Sequence, residues 1–123
     1  MTRVLGLRGA TTASTNSKNA ILTSTKDLLQ EIIDSNDLQA KELAAVYFTV
    51  TQDLNAEFPA LAARQLGWDN VALLCAREID VPNAPRLCIR VLILANSDLL
   101  PEKVINVYLE GAKTLRDRGN EKD

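Results

Sequence analysis

The 123-residue chain contains no histidine. That absence removes the commonest general base and the imidazole metal ligand, so any chemistry here proceeds without them. Cysteine is nearly absent too: Cys75 and Cys88 are the only two. Two thiols are too few for a disulfide scaffold or a Cys/His zinc site. There is no strong charge of one sign. The net charge of −2 gives no global field to attract nucleic acid. No apolar run reaches the roughly 18 residues that span a bilayer, and no membrane association is expected. The N-terminus lacks the apolar core of a signal peptide and passes straight into a plausible strand. The expected setting is therefore the cytoplasm, with both cysteines as thiols.

What remains is an ordinary globular mix, 46% hydrophobic and 24% charged, in a chain the size of one domain. Residues 3–8 read as a strand, with Gly9 to Thr12 and the polar Ser14 to Ser17 as a loop. Ser or Asn there can cap a helix. Residues 18–35 carry Ile21, Thr25, Leu28, Leu29, Ile32 and Ile33 at helical spacing. Gln39 to Glu42 forms a turn. Strand-like runs follow at 44–50 and 70–75, separated by a short helix that Pro59 opens and Gly67 closes. Residues 76–86 form a connection, and 87–94 a further strand. Pro101 then opens a last helix with Val104, Val107, Tyr108, Gly111 and Leu115 on one face. The order β-α-β-α-β-β-α predicts one α/β (α+β) domain, a mixed sheet packed by helices. That domain covers residues 1–116, and 117–123 form a polar, flexible tail.

Arg90 is the residue that asks for an explanation. It is the only charge in the run Leu87 to Leu94, which has the composition of a strand buried on both faces. A guanidinium cannot shed its proton to relieve burial. Arg90 therefore needs an anion, either a carboxylate of the protein or a bound ligand. Four other positions stand out, each with an ordinary reading beside it. Arg8 ends the first strand beside Gly9, where the backbone can turn or approach a ligand, or it is a sheet-end charge. Cys75 and Glu78 lie where a strand gives way to a loop. Taken singly, they are a small buried hydrophobe and a solvated carboxylate. Tyr108 lies on the inward stripe of the last helix, as a core residue or as a hydroxyl donor. Arg64 and Arg116, taken singly, are solvated.

Together, four ordered blocks resemble the monofunctional AroH-type chorismate mutase family. They are Leu7 to Thr12; Asp53 to Ala60 with Ala63-Arg64; Cys75 to Val81 leading to Cys88 to Val91; and Val107 to Glu110 with Leu115-Arg116. The resemblance spans nearly the whole chain. It implies a homotrimer with a pseudo-α/β-barrel core and active sites in clefts between subunits. It implies rearrangement of chorismate to prephenate on the route to phenylalanine and tyrosine, with no metal and no redox cofactor. In that reading Arg90 donates to the ether oxygen of chorismate, Arg8 and Tyr108 hold the enolpyruvyl carboxylate, and Glu78 accepts from the ring hydroxyl beside the thiol of Cys75. Phe58, Leu73, Leu74 and Leu115 form an apolar wall near Ala60, with Arg64 and Arg116 at the mouth and the tail as a loose cover. Three departures stand out. Leu61 replaces a lysine common in the family, Gln52 replaces a proline, and the 82–87 loop has its proline shifted, with Asn83 suited to a left-handed turn. The alternatives are an imine-deaminase-like trimer or a non-catalytic binder of dicarboxylate metabolites.

Overall fold

The computed structural model describes residues 2–118, with side chains through Leu115. Its strands are β1 (Arg3–Thr12), β2 (Leu43–Val50), β3 (Ala72–Arg77), β4 (Cys88–Ser97) and β5 (Val107–Tyr108). Its α-helices are α1 (Lys18–Ser35), α2 (Ala60–Gln65) and α3 (Lys113–Arg118). Three short 3-10 turns at Ala40–Glu42, Pro101–Lys103 and Glu110–Ala112 complete the order. The sheet runs β3-β2-β4-β1-β5. β4 is antiparallel to both β1 and β2, while β3 and β5 pair parallel to β2 and β1. The sheet is therefore mixed and the domain α+β, as expected.

Helix α1 forms where the spacing predicts it. The Ser17 side chain accepts from the Ala20 N–H, satisfying one orphan donor of the first turn. Ile21, Thr25, Leu28, Leu29 and Ile32 are buried, and Ile33 lies at the edge of the stripe. Beyond the helix, buried Asn36 accepts from the Ile105 N–H at 2.8 Å and donates to the Ile105 carbonyl at 2.8 Å. That amide pairs like a strand neighbour and fastens the segment leading into β5.

One sheet face lies under the helices. Leu7, Val46, Phe48, Val91 and Ile93 are buried there. The other face is largely open. Because side chains alternate along a strand, it carries Arg8, Tyr47, Thr49, Leu74, Arg90 and Leu92. The expectation that the Arg90 strand is buried on both faces is corrected here. β4 alternates, with Val91 and Ile93 inside while Leu92 is 39% exposed. On the Arg90 face only the chain end around Ala112 and Leu115 covers Ala10 and Cys88, and the rest is left open, so the aliphatic run does not mean double coverage.

The last helix is corrected more fully. In place of a helix from Pro101, the chain makes a 3-10 turn, strand β5, a second 3-10 turn and only then α3. Val104, Ile105 and Val107 are β-branched and weak helix formers. Pairing of Val107 and Tyr108 with Gly9 and Ala10, and acceptance of the Arg8 N–H by the Asn106 side chain at 2.8 Å, favour the extended form. α3 includes residues 117 and 118 of the expected flexible tail; residues 119–123 lie outside the described residues.

β1 also runs on through the expected loop to Thr12. Gly9 is a packing position, not a turn. A Cβ there would lie 2.6 Å from Ile32 Cδ1, 3.1 Å from Leu28 Cδ1 and 3.1 Å from the Val107 carbonyl oxygen. Its lack of a side chain lets α1 and β5 close on the strand. β3 begins two residues later than expected and extends to Arg77.

Candidate active site

Arg90 has a carboxylate partner within the chain. Its Nη1 donates to Glu78 Oε2 at 3.0 Å. The sheet register explains the meeting. Arg90 pairs with Thr49 on one side and Ala10 on the other, so these three share a face. Glu78 follows the end of β3, where its N–H donates to the Val50 carbonyl at 2.9 Å and keeps it beside the end of β2. The Thr49 hydroxyl donates to the same Glu78 Oε2 at 2.9 Å, and the Ile79 N–H to Oε1 at 3.1 Å. Partial burial works against the charged carboxyl. The Thr49 hydroxyl, the Ile79 N–H and the Arg90 charge outweigh it and hold Glu78 below the usual carboxylate range. Glu78 is thus an ionised acceptor at neutral pH.

A cavity of about 360 Å³ opens on this face, with Arg8, Tyr47, Thr49, Glu78, Arg90 and Tyr108 in its wall. Arg8 comes from β1, two residues before Ala10. It has no carboxylate partner among the described residues. Tyr108 arrives from β5 through its pairing with Ala10, and not from a helix stripe. Two guanidiniums, one carboxylate and two phenols therefore share one hollow. Such a set fits a small ligand with more than one acidic group.

The other expected residues lie elsewhere. Phe58, Ala60, Arg64, Leu73, Leu74 and Cys75 line a second cavity of about 350 Å³ beside α2. The thiol of Cys75 does not lie beside Glu78. Cys75 packs toward the helix-covered core, opposite to Leu74. Burial pushes this thiol up, against the opposing effects of the Ala60 N–H and the Arg64 charge. Leu115 is apart from Leu73 and Leu74. It packs against Ala10, Cys88 and Ala112, and lines a larger cavity of about 650 Å³ that Glu78 and Arg90 also border. The Arg116 side chain lies outside the described residues. Cys88 is buried beneath this group. Burial pushes its thiol up to about 11, opposed by Arg90 and reinforced by Glu78 and Asp53, so it is an inert thiol. Among the described residues no His/Cys/Asp/Glu group could hold a metal ion, and no helix is long and apolar enough to cross a membrane.

Thr49 and Tyr47 were not legible as site residues. Each reads as an ordinary strand position, and only the β2–β4 register sets them beside Glu78 and Arg90. In the 82–87 loop, Asn83 takes the left-handed conformation expected of it, with φ 67°.

Known proteins resemble this chain in sequence and fold. A chorismate mutase AroH from Thermus thermophilus is 47% identical over 114 residues, covering 92% of this chain and 93% of that protein. A chorismate mutase AroH from Bacillus subtilis (strain 168) is 38% identical over 114 residues, covering 92% and 90%. The solved structure of a chorismate mutase from Clostridium thermocellum superposes with a TM-score of 0.87 at 45% identity, covering 89% of this chain and 97% of that one. The family profile for chorismate mutase type I matches residues 4–118. The chain belongs to the chorismate mutase type I family.

Proposed function

We propose that the Glu78–Arg90 group is the catalytic centre of this chorismate mutase, and that it works in a cleft between copies of the chain. The reaction is a unimolecular rearrangement of chorismate to prephenate, in which a C–O bond breaks as a C–C bond forms. It needs no nucleophile and no obligatory proton transfer, so a chain without histidine is no obstacle. The observation that carries the site reading is the pair of guanidiniums, Arg8 and Arg90, facing one cavity with Glu78.

Each role follows from the substrate. Chorismate is a flexible dicarboxylate with an ether oxygen and a ring hydroxyl. Negative charge grows on the ether oxygen as the C–O bond lengthens. Arg90 gives one N–H to Glu78; its remaining N–H groups can donate to that oxygen. Arg8 and Tyr108 hold the enolpyruvyl carboxylate in the compact geometry from which the new bond forms. Glu78 accepts from the ring hydroxyl and sets a negative charge beside the ring, where positive character develops.

The cleft is supported by what one chain leaves unfinished. Tyr47, Leu74 and Leu92 are 42%, 58% and 39% exposed on the open sheet face. That apolar surface suits burial against other copies in a barrel-like homotrimer. Most of the expected site residues also fall into two separate hollows, with Leu115 in a third cavity that Glu78 and Arg90 border. In the trimer, the Phe58–Arg64 hollow of one copy faces the Arg90 hollow of the next and closes it from water. A cytoplasmic setting completes the proposal, with Cys75 and Cys88 free as in the structure. The test combines loss of chorismate absorbance, identification of the product and molar mass by light scattering. Fast formation of prephenate by a trimer is the expected result. A species that assembles as a trimer yet fails to accelerate the reaction would overturn the site reading.

A further inference from the structure

We infer that Asp53 is a positioning residue for Arg90, acting by clamping Leu87 in a left-handed turn at the start of β4. The backbone of Leu87 has φ 50°, a region that a bulky residue without local compensation avoids. The compensation is visible. Both carboxylate oxygens of Asp53 accept from the Leu87 N–H, at 3.1 and 3.0 Å. The Leu87 carbonyl accepts from the Ala13 N–H at 2.8 Å.

The clamp continues into the strand. The Thr51 hydroxyl donates to Asp53 Oδ1 and accepts from the Cys88 N–H at 2.9 Å. The Thr51 N–H donates to the Cys88 carbonyl at 3.1 Å. Asp53 thus holds Leu87 directly and Cys88 through Thr51. Arg90 follows two residues after Cys88, on the same face of β4. The connection that ends at this clamp starts at Glu78, and Arg90 lies three residues beyond it in β4. Arg86 Nε lies 3.8 Å from Asp53 Oδ2, on a largely exposed side chain. The Asp53 carboxyl is itself held below the usual range. Partial burial opposes this, but the hydrogen bonds from Thr51 and Leu87 outweigh it. It is therefore an ionised acceptor at neutral pH.

A carboxylate that acts through the placement of another residue can control the rate in this way, because small misplacement of a catalytic group is costly. The inference rests on the reading of Arg90 as the catalytic cation. Its test compares kcat and KM for chorismate in the full-length protein and in Asp53→Ala, Asp53→Asn, Leu87→Gly, Arg90→Lys and the double variant Asp53→Ala/Leu87→Gly. Each is checked for molar mass and thermal unfolding.

Asp53→Ala is expected to lower kcat at least ~10-fold with a smaller change in KM, as for a displaced catalytic group. Asp53→Asn keeps one acceptor and loses less. Glycine adopts the left-handed turn without strain. Leu87→Gly in the Asp53→Ala background is therefore expected to restore a large part of the lost kcat. A merely structural role would lower the unfolding temperature without that rescue. The inference is overturned if folded Asp53→Ala keeps wild-type kcat, or if Leu87→Gly restores nothing. If Asp53→Ala does not fold, the same comparison in the Asp53→Asn background decides the matter by the same two criteria. Normal turnover by Arg90→Lys rejects the site reading itself. Impaired Arg90→Lys beside unimpaired Asp53 variants rejects only the clamp.

Discussion

Arg90→Lys keeps a positive charge and changes little else. The Arg90 side chain is 48% exposed in the single chain, so the substitution opens no core cavity. What changes is the donor geometry. Arginine presents five N–H donors in a planar fork, lysine a single ammonium on a flexible stem. In the structure one arm of the fork is committed to Glu78 at 3.0 Å. The guanidinium can keep that bond and still donate to the substrate from its other nitrogens. The Lys ammonium must divide itself between Glu78 and the ether oxygen, and the pull of the ionised carboxylate draws it away from the reacting bond. The expected loss is that of one preorganised donor, about 10²–10³ in kcat or ~2.7–4 kcal/mol of transition-state stabilisation. The assay is initial-rate loss of chorismate absorbance at saturating substrate, with light scattering to show unchanged assembly. A kcat within about 3-fold of wild type, well short of what losing such a donor costs, would refute the role given to Arg90.

Two further outcomes are expected from the packing and the electrostatics. Gly9→Ala places a methyl group 2.6 Å from Ile32 Cδ1 and 3.1 Å from a backbone oxygen, and overpacking of this kind costs ~1–3 kcal/mol; thermal unfolding several degrees lower checks it, and an unchanged midpoint would contradict it. Glu78 is held below its ordinary range, so its share of stability is present above the unfolded-state value of about 4.3 and is lost as pH falls through the lower folded value. Melting temperatures from neutral pH down to about pH 3 should therefore fall more steeply for wild type than for Glu78→Gln across that acid window, and parallel curves would show that the Thr49 and Arg90 contacts do not hold the carboxylate.

The sequence made some elements plain and hid others for physical reasons. Helix α1 was legible because six apolar or β-branched residues recur on one stripe behind a serine cap. The last helix was misread because Val104, Val107, Tyr108, Gly111 and Leu115 happen to share a helical face. A two-residue strand carries no periodicity of its own, and its pairing with Gly9 and Ala10 is a contact about a hundred residues away in sequence. Arg90 was identifiable as a charge in an aliphatic run, but its exposure was not. An aliphatic strand looks the same whether its second face is covered by helices or left open, as Leu92 is here. Arg8, Glu78 and Tyr108 do gather with Arg90. Thr49 joined them only through register. The separation of Cys75 from Glu78 follows from strand alternation, once β3 is known to run to Arg77.

In the proposed trimer each site is completed by two copies of the chain, with Arg90 from one and Arg64 from another. Arg90→Ala and Arg64→Ala proteins, each of low activity alone, test it when unfolded together and reassembled as mixed trimers. If the hollows meet across subunits, random mixing in a cyclic trimer creates intact sites at about one position in four, and activity should rise to roughly that fraction of wild type. If each chain holds a complete site, no intact site can form by mixing. Activity fixed at the level of the separate variants, with mixed trimers shown to be present, would mean that the sites are not shared between subunits.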